Sequence, residues 1–272
     1  MKNRFIILVD LASDSEHLIQ FAYNWSKNIG ADMLLVHNTV VMLPALTPYE
    51  SKKNLTKMAN REALDQLRRL AGTVLPNVMS IGFFVSEKHL VTQLRTLLRG
   101  PFNNLVFLGL SKKGLLEQIF IGSEAVKVID GIDNLIVAVP LNPECCSPET
   151  IHVAAQKNNP LNIIAFNKFL NFRKESIKNL VFFSVLETGD DWHDADKYLR
   201  DLTALYSGRY GAAYEMYKAQ SGFQDLKRII LDKKDDFIVV QRGSRMFLDQ
   251  MFRKFLINEL VYEGNIPLVI LP

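Results

Sequence analysis

Short runs of consecutive apolar residues alternate along this chain with longer stretches in which apolar residues recur every three or four positions. The run at 4–10 (RFIILVD) closes on a polar residue, as expected of a strand buried on both faces. Leu18, Phe21, Ala22 and Trp25 then recur at helical spacing behind the cap candidates Ser13 to Ser15, and Gly30 ends the element. Strands at 32–38, 78–85, 104–109 and 134–139, with helices over 49–71, 87–98 and one ending near Asp130, complete a β-α-β-α-β-α-β-α-β order. The order then returns, with strands at about 151–155, 179–186, 210–217, 236–241 and 266–271 and helices at about 160–171, 191–206, 222–232 and 246–262. Strands separated by helices run parallel, because each crossover is too long for a hairpin and lays its helix on a sheet face.

The two halves superpose as sequences. Residues 105–140 match 237–272 at a shift of 132, so that Leu116 meets Leu248, Gln118 meets Gln250, Phe120 meets Phe252 and Pro140 meets Pro272. Identities held in register with the strand–helix–strand pattern indicate an internal duplication. The expected fold class is therefore α/β, with two tandem doubly wound domains at 1–143 and 149–272. The proline-bearing stretch LNPECCSPE (141–149) joins them.

Length agrees: 272 residues suit two domains of ordinary size. At 48% hydrophobic and 22% charged, the chain has the composition of folded protein rather than of a disordered or fibrous one. Thirty-two basic against 29 acidic residues give a net charge of +3, without the excess that marks a nucleic-acid binder. Lys2 and Arg4 precede an apolar run, but Asp10 ends it too early for a secretion signal. No run reaches the length needed to cross a bilayer. The two cysteines, Cys145 and Cys146, are adjacent and read as free thiols of a reducing compartment. These features lead us to expect a soluble, cytoplasmic protein without nucleic-acid or membrane partners.

The stretch GLSKKGLLEQIFIGS (109–123) carries the most chemistry. A glycine-containing turn from strand to helix presents backbone N–H groups at the positive end of a helix, where they can cradle phosphate oxygens. Gly109 would allow a sharp exit from the strand, Gly122 a close backbone approach by a ligand, and the Ser123 hydroxyl could donate to a phosphate. A plain turn followed by a helix cap is the competing reading.

Other groupings are weaker. ETGDDWHDAD (187–196) gathers four aspartates around His193, which could ligate a divalent cation. Asp190 and Asp191 precede a helix, however, where carboxylates cap free N–H groups. The other histidines, at 17, 37, 89 and 152, have no nucleophile or acid at motif spacing, and His37 reads as a structural hydrogen-bonder. No positioned base or acid pair supports efficient catalysis, so efficient enzymatic turnover is not expected.

With Gly109, Lys112, Gly122 and Ser123 in the spacing Gly-x2-Gly-x9-Gly-Ser/Thr, the sequence resembles the universal stress protein family. Asp10 at the end of the first strand, LLVHN at 34–38 and the closing LIVAVP also resemble that family's landmarks. The resemblance spans nearly the whole chain as two tandem copies. It implies open five-stranded parallel sheets in the order 3-2-1-4-5 with helices on both faces, and a nucleotide crevice at the carboxyl ends of strands 1 and 4. By position, it implies that Asp10 contacts the adenine or ribose region, that the backbone around Asn38 borders the adenine, that Gly109 and Lys112 lie along the phosphates, and that Gly122 and Ser123 close over them. Lysine stands at 112 where the family has glycine, and Asn38 where it usually has an apolar residue.

The second copy places Gln241, Ser244, Lys254 and Phe255 on the glycine frame and Ala155 in place of Asp10, so no phosphate cradle is expected there. The resemblance further implies ATP or a related adenine nucleotide as ligand of the first domain, with Mg2+ only as the companion of bound nucleotide. It implies a sensor or scaffold role in the stress response. A nucleotide-free interaction module is the alternative. Paired copies of the family associate through their last strands, so 134–139 and 266–271 are the expected seam of an intramolecular pseudo-dimer, with a further homodimer left open and other protein partners unknown.

Overall fold

A computed structural model describes residues 1–11, 15–76, 81–110, 123–143, 146–172, 176–186, 189–218, 236–244 and 266–272. Its elements follow the alternation expected from the sequence. The first half contains β1 (Lys2–Leu8), α1 (Glu16–Ile29), β2 (Asp32–Asn38), α2 (Tyr49–Val74), β3 (Ile81–Ser86), α3 (Leu90–Leu98), β4 (Phe102–Gly109), α4 (Ser123–Gly131) and β5 (Ile136–Val139). The second contains β6 (Thr150–Ala154), α5 (Ile163–Asn171), β7 (Asn179–Leu186), α6 (Trp192–Ser207), β8 (Gly211–Lys218), β9 (Phe237–Gln241) and β10 (Leu268–Leu271). The helices expected at 222–232 and 246–262, and part of the 141–149 linker, lie outside the described residues.

All ten strands form one sheet in the order β3-β2-β1-β4-β5-β10-β9-β6-β7-β8. Every pairing is parallel except the central one, where Leu268, Val269 and Ile270 of β10 run antiparallel to Ala138, Val137 and Ile136 of β5. Antiparallel pairing of the last strand of each half relates the two halves by an approximate two-fold axis normal to the sheet. Strands β5, β9 and β10 are buried throughout, whereas the outermost strands β3 and β8 are half-exposed, and of the two only β8 carries charged side chains, Glu215 and Lys218.

Side chains alternate between two cores. Phe5, Ile7 and Val9 join Leu35, Phe107, Val137, Val153, Phe237 and Val269 on the face covered by α1, α2, α5 and α6. Ile6 joins Val36, Val106, Ile136, Ala138, Ile238 and Ile270 on the opposite face, which α3 and α4 cover in the first half.

The first of these cores runs straight across the duplication. Trp25 of α1 is fully buried, with Phe5 and Phe107 of its own half at 5.6 and 5.3 Å between ring centroids and Phe237 and Phe169 of the other half at 5.8 and 6.4 Å. Its indole N–H donates to the carbonyl of Phe172, just past α5, at 3.1 Å. A polar clamp works on the other face. The Arg242 guanidinium donates to the carbonyl of Ile132 and to Asp133 Oδ1, both at 2.6 Å, and so places a cation at the carboxyl end of α4, where the helix dipole is negative.

Trp25→Ala removes the ring that both halves share and leaves the Phe172 carbonyl without its donor. The expected cost is about 3–5 kcal/mol. Urea denaturation of the wild type should show one transition that shifts as a whole in the variant. Two separate transitions would contradict a core continuous through both halves.

Tyr206 of α6 lies buried beside Tyr210 and donates to Asn167 Oδ1 at 3.0 Å. Burial, reinforced by Tyr210 and Tyr198, pushes its phenol up to about 12. The folded state therefore resists an ionisation that the unfolded chain undergoes near 10. Stability from this group is complete below pH 10 and declines as pH rises toward 12. Tyr206→Phe should flatten the alkaline fall of the melting temperature between pH 9 and pH 12, and an unchanged slope would assign that fall to other groups.

Candidate functional site

Strand order creates an opening at one place in the first half. β1 and β4 are neighbours with Leu8 beside Leu108, yet the chain leaves β1 for α1 on one face and β4 for α4 on the other. Such a reversal of winding leaves a crevice at the carboxyl ends of the two strands. Asp10 follows β1 and Gly109 ends β4 at that point, and Asn38 ends the adjoining strand β2.

The loop leaving β1 is closed by Ser15. Its Oγ accepts from the Asp10 N–H at 3.2 Å and donates to the Asp10 carbonyl at 2.9 Å. Ser15 stands at the start of α1 but makes no side-chain cap bond to the helix, so the cap expected from sequence is replaced by a loop lock. The adjoining positions 12–14, with Ser13 among them, lie outside the described residues. Asp10 itself is half-buried.

Asn38 is committed to structure. Its amide nitrogen donates to the carbonyls of Ser86 and Lys88 at 2.9 and 2.7 Å and ties the end of β2 to the loop between β3 and α3. This answers why a polar residue stands where the resemblance implies an apolar one. Gln93 of α3, buried, donates to the same two carbonyls. His37 Nδ1 lies 2.8 Å from the Val9 carbonyl, the structural hydrogen bond expected of it.

Gly109 is the last residue of β4, paired with Val139 and exposed, with no left-handed backbone. The sharp exit expected to require glycine is therefore absent at this residue. A β-carbon added there would meet Leu18 Cδ2 at 3.5 Å, an ordinary contact. Lys112 and Gly122 lie outside the described residues, and Ser123 begins α4 without a described side chain.

The second half shows what a side chain does at that place. Gln241 ends β9 as Gly109 ends β4, and it is buried. Its Oε1 accepts from the Asn162 N–H at 2.6 Å, while its Nε2 donates to the Pro160 carbonyl at 3.1 Å and to Asn159 Oδ1 at 3.2 Å. One amide thus spans from the end of β9 to the loop leaving β6 and fills the corresponding gap. The shift of 132 pairs Gln241 with Gly109, but its three partners come from a loop 79 to 82 positions away in sequence.

The acidic group around His193 disperses. Asp191 caps α6, accepting from the N–H groups of His193 and Asp194 at 2.8 and 3.1 Å. Asp194 pairs with Lys157, which together with its other neighbours holds its carboxyl below the usual range. Asp196 binds Arg200 and accepts from the Tyr214 hydroxyl at 2.8 Å. Among the described residues no three His, Cys, Asp or Glu side chains converge as a metal site would require. A hollow of about 380 Å³ lies between α1 and α2, lined by residues such as Ser15, Glu16, Gln66 and Arg69 and by none of the six expected site residues.

No protein-family model matches the sequence, and no curated protein matches it. Solved structures do. A universal stress protein from Archaeoglobus fulgidus DSM 4304 superposes with a TM-score of 0.61 at 10% identity, covering 100% of this chain and 98% of its own. The fold is that of the universal stress proteins. A functionally unknown protein from Pseudomonas aeruginosa PAO1 superposes with a TM-score of 0.58 at 10% identity, over 99% of this chain and 92% of its own. The universal-stress-protein fold thus spans the whole chain, both halves included, at identities too low to transfer an activity. Among the described residues no helix is long and apolar enough to cross a membrane.

Gln241→Ala removes two donated bonds and leaves the Asn162 N–H without an acceptor, with an expected cost of about 1–3 kcal/mol. The loss should appear as a lower urea midpoint with an unchanged slope. A neutral substitution would mean that water replaces the amide and that the second gap is not closed by this side chain.

Proposed function

We propose that the protein acts in the stress response as a sensor or scaffold whose first half binds ATP or a related adenine nucleotide, while the second half is a packing partner. One observation carries the reading: Gly109 has no side chain at the end of β4, whereas Gln241, at the end of β9, bonds across to the loop leaving β6. The order β2-β1-β4 supports a ligand at the carboxyl ends of β1 and β4, where doubly wound sheets take them. Asp10, Asn38, Gly109, Lys112, Gly122 and Ser123 are the residues assigned to it, with Mg2+ arriving only with the nucleotide. Lys112 would contribute its ammonium to phosphate in place of the amide approach that glycine permits. Bound nucleotide would act by shifting the balance between conformations or partners according to its different affinity for each. The protein works in the cytoplasm, and hydrolysis is at most slow.

Thermal unfolding with millimolar ATP tests this. Ligand at a hundred times its dissociation constant adds about 2.7 kcal/mol, a rise of roughly 5–10 °C for a chain of this size. Gly109→Gln copies the second half into the first. Its Cβ would meet Leu18 at an ordinary contact distance, and the variant, checked for a wild-type unfolding transition without ligand, should abolish the rise. Gly122→Asp should do the same, and Lys254→Asp should leave the rise intact. A Gly109→Gln variant that still responds fully would put the ligand elsewhere. No response in the wild type would favour the nucleotide-free interaction module.

A further inference from the structure

The duplication supplies an internal control for the connection leaving β2. In the second half, five residues (187–191) lead from β7 into the 16-residue helix α6. In the first half, ten residues (39–48) lead from β2 into the 26-residue helix α2. Only Ala63, Leu67 and Ala71 of α2 are buried, and every residue from 48 to 55 is exposed, so the extra length projects away from the sheet. An unsupported helix of so few turns is marginal in water.

This projection is apolar and cationic together. Val40, Met42, Leu46, Tyr49, Leu55 and Met58 are exposed large side chains, Met42 at 91% and Leu46 at 96%. Lys52, Lys53, Lys57 and Arg61 are exposed beside them and form no ion pair among the described residues. Glu50 is the sole acid between 39 and 61.

We infer that residues 40–61 form a docking surface for an anionic lipid bilayer. Charge decides against a second copy, since pairing this surface with itself would set four cations against four. Shape decides against a protein groove-binder: the apolar side chains stand exposed on a projection, and a fluid headgroup layer conforms to them without a preformed pocket. Met42 and Leu46 would enter the headgroup–acyl boundary, Tyr49 would sit at the interface, and the lysines would meet lipid phosphates. The expectation of no membrane partner rests on the lack of a spanning run, which a helix lying on the surface does not need.

Sedimentation of the full chain with vesicles tests the inference. Binding is expected to vesicles of equal parts phosphatidylglycerol and phosphatidylcholine and not to phosphatidylcholine alone. It should weaken with salt. Lys52→Glu, Lys53→Glu and Lys57→Glu combined should lower the affinity more than about tenfold, and Met42→Ser with Leu46→Ser several-fold, both at wild-type melting temperature. Equal binding to both vesicles, binding to neither, or indifference to the charge reversal would overturn the inference. So would a dimer in light scattering that the Met42→Ser, Leu46→Ser variant dissolves, which would identify a second copy as the occupant. A Tyr49→Trp reporter should emit as an exposed indole until anionic vesicles shift it to the blue. Blue emission from the free monomer would mean that the chain covers this surface itself, and would equally overturn it.

Discussion

The antiparallel pairing of β5 with β10 constrains most of the molecule. Three residue pairs at the middle of the sheet turn two five-stranded arrays into one of ten. Because those strands are buried on both faces, their backbone groups have nowhere else to bond. The join brings α1 against α5, which is what lets Trp25 reach Phe169, Phe172 and Phe237. It also brings the end of β9 within reach of α4, where Arg242 holds the last turn. A helix whose amino end begins at Ser123 is thus held at its carboxyl end by the other half of the chain.

Two crevices that share a backbone have diverged through their side chains. In the second, a glutamine amide meets two acceptors and a donor that the loop offers, and all three bonds of its own side chain are made to that loop. In the first, Ser15 bonds to both backbone groups of Asp10, and the residue at 109 has no side chain to reach across. The same duplication has kept α6 short and extended α2 beyond the sheet, so the halves differ both in what they fill and in what they expose.

Much of this was legible in the chain. Alternating buried runs and amphipathic stretches placed every described strand and helix within a few residues, because strand burial and helix periodicity are local patterns. The expected roles of His37 and Asp191 also stand, as both bond to backbone groups nearby in the fold or the sequence. Ser15 and Gly109 read differently in three dimensions. The first bonds to Asp10 rather than to its helix, and the second has no positive φ to relieve. Spacing could nominate both residues but could not say which backbone groups lay opposite them.

The sequence by itself determined the order of elements, the parallel crossovers, the duplication and the residue types at each crevice, since all of these depend on neighbours a few positions away or on a fixed shift. Only the tertiary structure decided that both halves share one aromatic core, that Gln241 bonds across to the loop leaving β6, that Arg242 caps a helix of the other half, and that the start of α2 is exposed. Each of these rests on groups about 80 or more positions apart, or on exposure to solvent, and no local pattern in a chain encodes such distances.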